Sequence, residues 1–249
     1  MTSADQTQSE PQLDELRQRI DAIDEQIQNL IGERIRCVLE VAKVKQKAGG
    51  VVEYYRPERE AQLLRRIKAR NPGPLSDVAV ARLFREIVSA SMALEQVLSI
   101  AFNAARDTLA LQAVYRQFGQ AVTTLGLGSD QAVFQATLDG QADFGVVIAD
   151  DDCAGLFCRY PLSICGEVIV PDHKDPAPTD RRFLVVGKQR IKPSGDDKTT
   201  LLITQAEQQP RLLDLPGHHE ETATQEQIAY HESHSESCRC LGSYPANVL

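Results

Sequence analysis

Residues 13–48 read LDELRQRIDAIDEQIQNLIGERIRCVLEVAKVKQKA, and this stretch decides the fold class. Apolar side chains return in it after three and four residues in alternation, which is the period of an amphipathic helix. Ser9 and Pro11 are typical of a helix start, and Gly49-Gly50 is typical of a helix stop. The pattern predicts one helix of about 37 residues, roughly 55 Å long.

Two shorter helices are predicted to follow. One begins near Pro57 and ends before Asn71-Pro72-Gly73, and the other begins near Ser76 and carries an apolar stripe as far as Leu98. Two short helices cannot cover the apolar face of such a long one. The first 96 residues therefore predict an all-α bundle that is completed by a partner chain, which we take to be a second copy.

Composition restricts the class of protein. The 249 residues are 42% apolar and 25% charged, which is typical of globular proteins, and the net charge of −8 with no Trp argues against nucleic-acid binding. No apolar run reaches the roughly 18 residues that a membrane helix needs, and the polar residues 1–10 do not resemble a secretory signal. We therefore expect a cytoplasmic protein whose six cysteines are reduced thiols.

The pattern changes after the helices. Short strand-like runs alternate with helical segments up to about residue 194, which predicts a small α/β segment. The stretch from Gln205 to Ser237 is polar and has few core residues, so we expect much of it to be disordered. The predicted organisation is a polar arm (1–11), a helical domain (12–96), an α/β segment (97–194) and a tail (195–249).

The long helix carries two cations that point to an anion site. Arg34 interrupts the apolar stripe, and Lys45 lies eleven residues later, about 20° further round the helix and roughly 16 Å along it. Two long cationic side chains at that separation could hold a small dianion between them. The alternative is that Arg34 pairs with a buried glutamate and that Lys45 extends to solvent.

The shorter helices carry four further candidates. Ser91 and Glu95 lie four residues apart on the continuation of an apolar stripe, where polar groups indicate a site. Arg59 and Glu60 open the second helix. The alternatives are that Ser91 bonds to its own helix and that Glu95 lies at a fraying end. For the second helix, the alternative is that Glu60 interacts favourably with the helix dipole and that Arg59 is solvated.

Five motifs of the helical region occur together in one known family. They are LRQRIDAID (16–24), ER (33–34), VAKVK (41–45), YRPERE (55–60) and RLFREI (82–87). With them, residues 12–96 resemble the type II, all-helical chorismate mutase domain of the bacterial bifunctional chorismate mutase/prephenate dehydratases, the P-proteins. The resemblance implies an intertwined homodimer that needs no cofactor or metal. It also implies a chorismate pocket that is lined by Arg34, Lys45, Arg59, Glu60, Ser91 and Glu95, with Arg17 contributed by the other subunit.

The resemblance also implies the reaction, an intramolecular Claisen rearrangement of chorismate to prephenate on the way to phenylalanine. Arg34 would bind substrate carboxylate, Lys45 and a protonated Glu95 would serve the breaking ether oxygen, and Glu60 would accept the ring hydroxyl. Arg56 departs from the family pattern, because some members have an acidic residue there. The implied catalytic residues are Arg34, Lys45 and Glu95.

Residues 97–249 resemble the dehydratase and ACT domains of that family only in fragments. The family's GPEGT turn reads AARDT (104–108), its ENS/T loop reads DDDC (150–153), and its TRF motif, which carries the catalytic threonine, reads RRF (181–183). The segment that builds the second lobe of the dehydratase is also missing. The resemblance therefore implies a mutase without dehydratase activity and with little or no feedback inhibition by phenylalanine.

Two other functions stay open. The chain could retain both activities, or it could be a non-enzymatic helical dimerisation module, although such a module would favour Leu or Ile at position 34. A possible zinc set is formed by His231, His234, Cys238 and Cys240, near His218-His219. Its spacing fits no standard site, so we expect no metal.

Overall fold

The long helix α1 spans Ala4–Lys47 in the computed structural model. Its 44 residues exceed the expected length, and it includes most of the predicted polar arm. The predicted start at Ser9 and Pro11 is wrong, because the helix continues past Pro11, which has no backbone N–H to donate to the residue four positions earlier. The predicted stop at Gly49-Gly50 lies outside the part of the chain that the structure describes. The described residues are 4–47, 55–172, 179–205, 208–233 and 237–246.

The two shorter helices begin where the sequence predicts. α2 spans Pro57–Ala69 with its proline in the first turn, and α3 spans Asp77–Ala93, where the Ser76 hydroxyl accepts the Ala79 N–H at 3.2 Å. The predicted extension of α3 to Leu98 is wrong. The Glu95 N–H bonds to the Met92 carbonyl in a final turn, and the chain then extends into a strand.

A five-stranded mixed sheet follows, with the order β2-β1-β3-β5-β4. Strands β1, β2 and β3 are parallel, whereas β5 runs antiparallel to both β3 and β4. Three helices connect the strands, so the predicted α/β segment is present. Its elements are β1 (Ser99–Asn103), α4 (Ala110–Phe118), β2 (Thr123–Leu127), α5 (Asp130–Asp139), β3 (Phe144–Ile148), α6 (Asp151–Phe157), β4 (Ser163–Asp172) and β5 (Thr179–Gly187).

The tail forms a second, three-stranded antiparallel sheet with the order β7-β6-β8. The prediction of a largely disordered stretch is wrong for residues 208–233, because β7 pairs with β6 and α7 follows it. Three leucines of β7 are half-buried or buried within a polar neighbourhood, which a composition argument overlooks. The elements are β6 (Asp197–Thr204), β7 (Arg211–Pro216), α7 (Thr222–Ser233) and β8 (Ser237–Pro245).

The chain divides into two compact units, residues 1–52 and 53–249. The first unit consists of α1, and the second joins α2 and α3 to both sheets. Tyr55 illustrates that union, because its ring packs on Phe118 of α4 and Phe144 of β3 with centroids 5.1 and 5.3 Å apart. Among the described residues, no helix combines the length and apolar character needed to cross a membrane.

Candidate active site

Helix α1 carries three of the predicted site residues. The helix is continuous through Arg34 and Lys45, so their predicted spacing of about 16 Å along the axis is retained. Arg34 is half-buried, and this burial lowers its pKa, whereas Lys45 is exposed. Arg17 is also exposed and donates to Asp14 at 3.1 Å. Since Arg17 lies about 25 Å from Arg34 on the same rod, the two cannot hold one small ligand within a single copy.

Glu60 is buried in the second unit and is neutralised by a cation that the sequence analysis missed. Arg85 of α3 donates from Nε to Glu60 Oε1 at 2.8 Å, and only 4% of Arg85 and 8% of Glu60 remain exposed. Arg85 Nη1 also donates to the Arg116 carbonyl at 2.5 Å. Arg85 follows the buried Ala81 by four residues, so a cation on the core-facing stripe of α3 was the available signal.

The start of α2 explains the position of Arg56. Its Nε donates to Glu58 at 2.9 Å, and Glu58 is buried. Arg59, between the two buried glutamates, is exposed. Arg56 is therefore engaged by its own helix terminus.

Ser91 and Glu95 lie at the end of α3. Ser91 is buried, and its hydroxyl donates to the Ile87 carbonyl one turn earlier at 2.6 Å, so the bonding to its own helix that we considered is present. That bond uses the hydroxyl proton and leaves oxygen lone pairs. Glu95 is half-buried in the turn that follows the helix.

A second polar cluster lies at the carboxyl ends of the parallel strands, where open α/β sheets usually bind ligands. There Arg106 pairs with Asp130, donates to Asp150 at 2.5 Å and donates to Asp152 at 3.2 Å. The hydrogen bond that Arg106 donates to Asp130, together with the negative charge of the three carboxylates, raises the pKa of Arg106 against the opposing effect of burial. Two of the altered dehydratase-like motifs thus meet in space, and one guanidinium is surrounded there by three carboxylates.

The arginines of the third altered motif, RRF (181–183), also form ion pairs. Arg181, which stands where the family's catalytic threonine is expected, lies 3.5 Å from Asp172 and 3.9 Å from Asp107. Its neighbour Arg182 pairs with Glu167 at 2.9 Å and with Asp214 of β7 at 2.8 Å. These ion pairs connect strands and loops, and a guanidinium stands where the family's catalytic threonine is expected.

The zinc-like set can be judged only in part. His234 and the side chain of His231 lie outside the described residues. His218, His219 and Glu220 place three ligand atoms within 4.8 Å of one another. However, both ring nitrogens of His218 are already engaged, since Nε2 bonds to the Ile191 carbonyl at 3.2 Å and Nδ1 accepts the Glu220 N–H at 3.3 Å. To bind a metal, His218 would have to give up one of these two hydrogen bonds.

Residues 16–96 match the family model of chorismate mutase type II. A bifunctional chorismate mutase/prephenate dehydratase of Pseudomonas aeruginosa is 27% identical over 360 aligned positions, which cover 96% of this chain and 99% of that protein. Because 360 exceeds the 249 residues of this chain, the relative contains sequence that this chain lacks.

A bifunctional chorismate mutase/prephenate dehydratase of Stutzerimonas stutzeri is 40% identical over 172 residues, which cover 65% of this chain. The chain spans about half of that relative, 47% of its length. Among solved structures, a protein described as a novel type of quorum quenching acylase, GqqA, aligns with 60% of this chain and 95% of its own, with a TM-score of 0.51 and 19% identity. At that identity the likeness concerns the fold alone.

The resemblance suspected from the five helical motifs is therefore confirmed: residues 16–96 match the chorismate mutase type II family, and the chain is similar to the bifunctional chorismate mutase/prephenate dehydratases.

Proposed function

We propose that the protein is a chorismate mutase, an isomerase that converts chorismate to prephenate in phenylalanine biosynthesis. The observation that carries the proposal is the type II match over residues 16–96, which includes every candidate site residue. The structure adds support, because Arg34 and Lys45 lie on one unbroken helix and Glu60 is held as a buried, paired carboxylate.

The chemistry requires only positioning and charge. The rearrangement needs no nucleophile, metal or proton transfer, so the enzyme must hold a flexible dicarboxylate in its reactive shape. Arginines bind carboxylates bidentately, which suits Arg34 and the partner's Arg17. Lys45 and a protonated Glu95 stabilise the negative charge that grows on the ether oxygen. Arg59 and Ser91 complete the pocket, and Glu60 accepts the ring hydroxyl.

The proposed donor role of Glu95 can be tested by a matched pair of substitutions. Glutamine donates a hydrogen bond at every pH, so Glu95→Gln should keep kcat/KM near the wild-type value and hold it as pH rises. Alanine removes the donor, so Glu95→Ala should lower kcat/KM by about a hundredfold. Equal activity of both variants across the pH range would remove Glu95 from the site.

A homodimer is part of the proposal. Eight large apolar side chains of α1 are 46–67% exposed in the single chain, far more than one soluble helix normally shows to water. They repeat along one stripe, and a second copy of the same rod would bury them. The exposed side chains are Leu13, Leu16, Ile20, Ile23, Ile27, Leu30, Val41 and Val44.

We also propose that dehydratase activity has been lost. The carboxyl ends of the parallel strands, where a ligand would bind, carry Asp130, Asp150 and Asp152, and all three carboxylates pair with Arg106. A site with this excess of negative charge repels a dianion such as prephenate. The substitution of the TRF threonine by Arg181 points the same way.

A dehydratase assay separates this proposal from the bifunctional alternative. With prephenate as substrate, we expect phenylpyruvate to form no faster than in buffer alone. Turnover that depends on enzyme concentration, and that disappears in an Arg106→Ala or Arg181→Ala variant, would establish the bifunctional alternative instead.

The mutase proposal is tested by following the absorbance of chorismate with the purified full chain. We expect saturable loss of chorismate at a rate proportional to enzyme. A folded dimer that leaves the chorismate signal at the uncatalysed rate would favour the third function, a dimerisation module without catalysis.

A further inference from the structure

A groove of about 580 Å³ lies between α3 and α4, outside the proposed mutase residues. Arg82 on its wall is nine residues before Ser91, which places the two about half a turn apart around α3. Its apolar walls include Leu75, Leu83 and Tyr115. A cleft of this size is within the usual range for small-molecule sites, which are mostly apolar with a few well-placed polar groups.

The three arginines of the groove differ in whether they have an ion-pair partner. Arg85 reaches its wall but is already paired with Glu60. Among the described residues, neither Arg82 nor Arg116 has a carboxylate within ion-pair distance. Burial lowers the pKa of Arg116, and the nearby cations Arg82 and Arg85 lower it further, while Asp180 opposes them.

The one carboxylate among the described lining residues forms no ion pair with these cations. Glu86 lines the groove, but its Oε2 accepts the backbone N–H of Gln120 at 3.0 Å. Arg82 and Arg116 therefore both line the groove as cations that have no ion pair with Glu86. An anion that binds there would gain from both guanidiniums and would relieve their repulsion.

We infer that this groove is a binding site for a small organic carboxylate with an apolar or aromatic body. The two guanidiniums of Arg82 and Arg116 bind the carboxylate, and Leu75, Leu83 and Tyr115 contact the body. A ligand with two carboxylates engages both cations at once. The inference does not depend on the mutase activity.

The test is calorimetric titration of the full chain with isophthalate, benzoate and the neutral analogue benzamide. We expect isophthalate to bind more tightly than benzoate and benzamide to bind at least tenfold more weakly than benzoate, because it lacks the charge. Arg116→Gln and Arg82→Gln should each weaken isophthalate binding at least tenfold. Arg82 is exposed, so its substitution leaves the fold intact, and Arg66→Gln on the exposed face of α2 is the matched control that should bind normally.

Two further arms locate the ligand. Binding that persists in Arg34→Ala places isophthalate in the groove, whereas loss in that variant with retention in both groove variants would place it in the mutase pocket and overturn the inference. Inorganic phosphate that binds as tightly as isophthalate would show a simple anion site and would overturn the role of the apolar walls. No measurable binding of isophthalate would overturn the inference as well.

Discussion

Arg34→Ala should lower kcat/KM for chorismate by about a hundredfold to a thousandfold while the protein remains folded. Removal of one prearranged donor to developing charge typically costs that much. Arg34 is half-buried on α1, and the substitution shortens a ligand-binding side chain without creating a core cavity. Arg36→Ala, an exposed position two residues later, is the matched control and should be nearly silent. Equal rates for the two variants would return Arg34 to a structural role.

The same variant tests the exchange of Arg17 between subunits. If each pocket uses Arg34 of one copy and Arg17 of the other, a mixed dimer of Arg34→Ala and Arg17→Ala subunits contains one intact and one doubly altered pocket. Co-expression should therefore restore activity that neither variant has alone. A mixed dimer that stays inactive would contradict the shared pocket.

Arg85→Met should lower the free energy of unfolding by about 3–5 kcal/mol, because it leaves the Glu60 carboxylate buried without its cation. The loss of the bond to the Arg116 carbonyl acts in the same direction. Urea denaturation at one fixed protein concentration measures the effect. Arg82→Met, an exposed cation three residues earlier, is the control and should change stability by less than about 0.5 kcal/mol.

A double variant distinguishes the buried charge from lost packing. Arg85→Met combined with Glu60→Leu removes both charges, so most of the lost stability should return. If the double variant is no more stable than Arg85→Met alone, the side-chain volume of Arg85 and not its charge stabilises the second unit.

The helices were the most predictable part of the fold. An apolar period over more than thirty residues, interrupted only at Arg34, predicts α1, and the capping serine predicts the start of α3. The end of α3 could not be predicted in the same way. Leu98 fits both the apolar stripe of α3 and the strand-like run Leu98–Phe102, and pairing with β2 and β3 assigns that run to β1.

Three shorter elements, β2, α6 and β7, were not predicted from the sequence, and each has a physical reason. β2 is only five residues long, contains Gly126 and is only partly buried at the sheet edge, so it lacks a strand pattern. α6 has seven residues, although Asp150, which accepts the Cys153 N–H at 3.0 Å, was a readable start signal. The strand β7 is recognisable only through its pairing with β6.

The sequence predicted which residues belong to the candidate site, but it did not predict which side chains they pair with. The motifs point to Glu60, yet sequence gives no reason to join it to Arg85, twenty-five residues away on another helix. The three carboxylates around Arg106 come from segments that follow different strands, and only the sheet order brings them together.

Identification of the product formed from chorismate tests the central proposal most directly. When the full chain is incubated with chorismate and the reaction is followed by proton NMR, we expect prephenate to appear as chorismate disappears, in equal amounts, without any added metal or cofactor. Arg34→Ala and Lys45→Ala should form prephenate at least a hundredfold more slowly. Chorismate that remains unchanged beside folded protein, or that yields a product other than prephenate, would contradict the account.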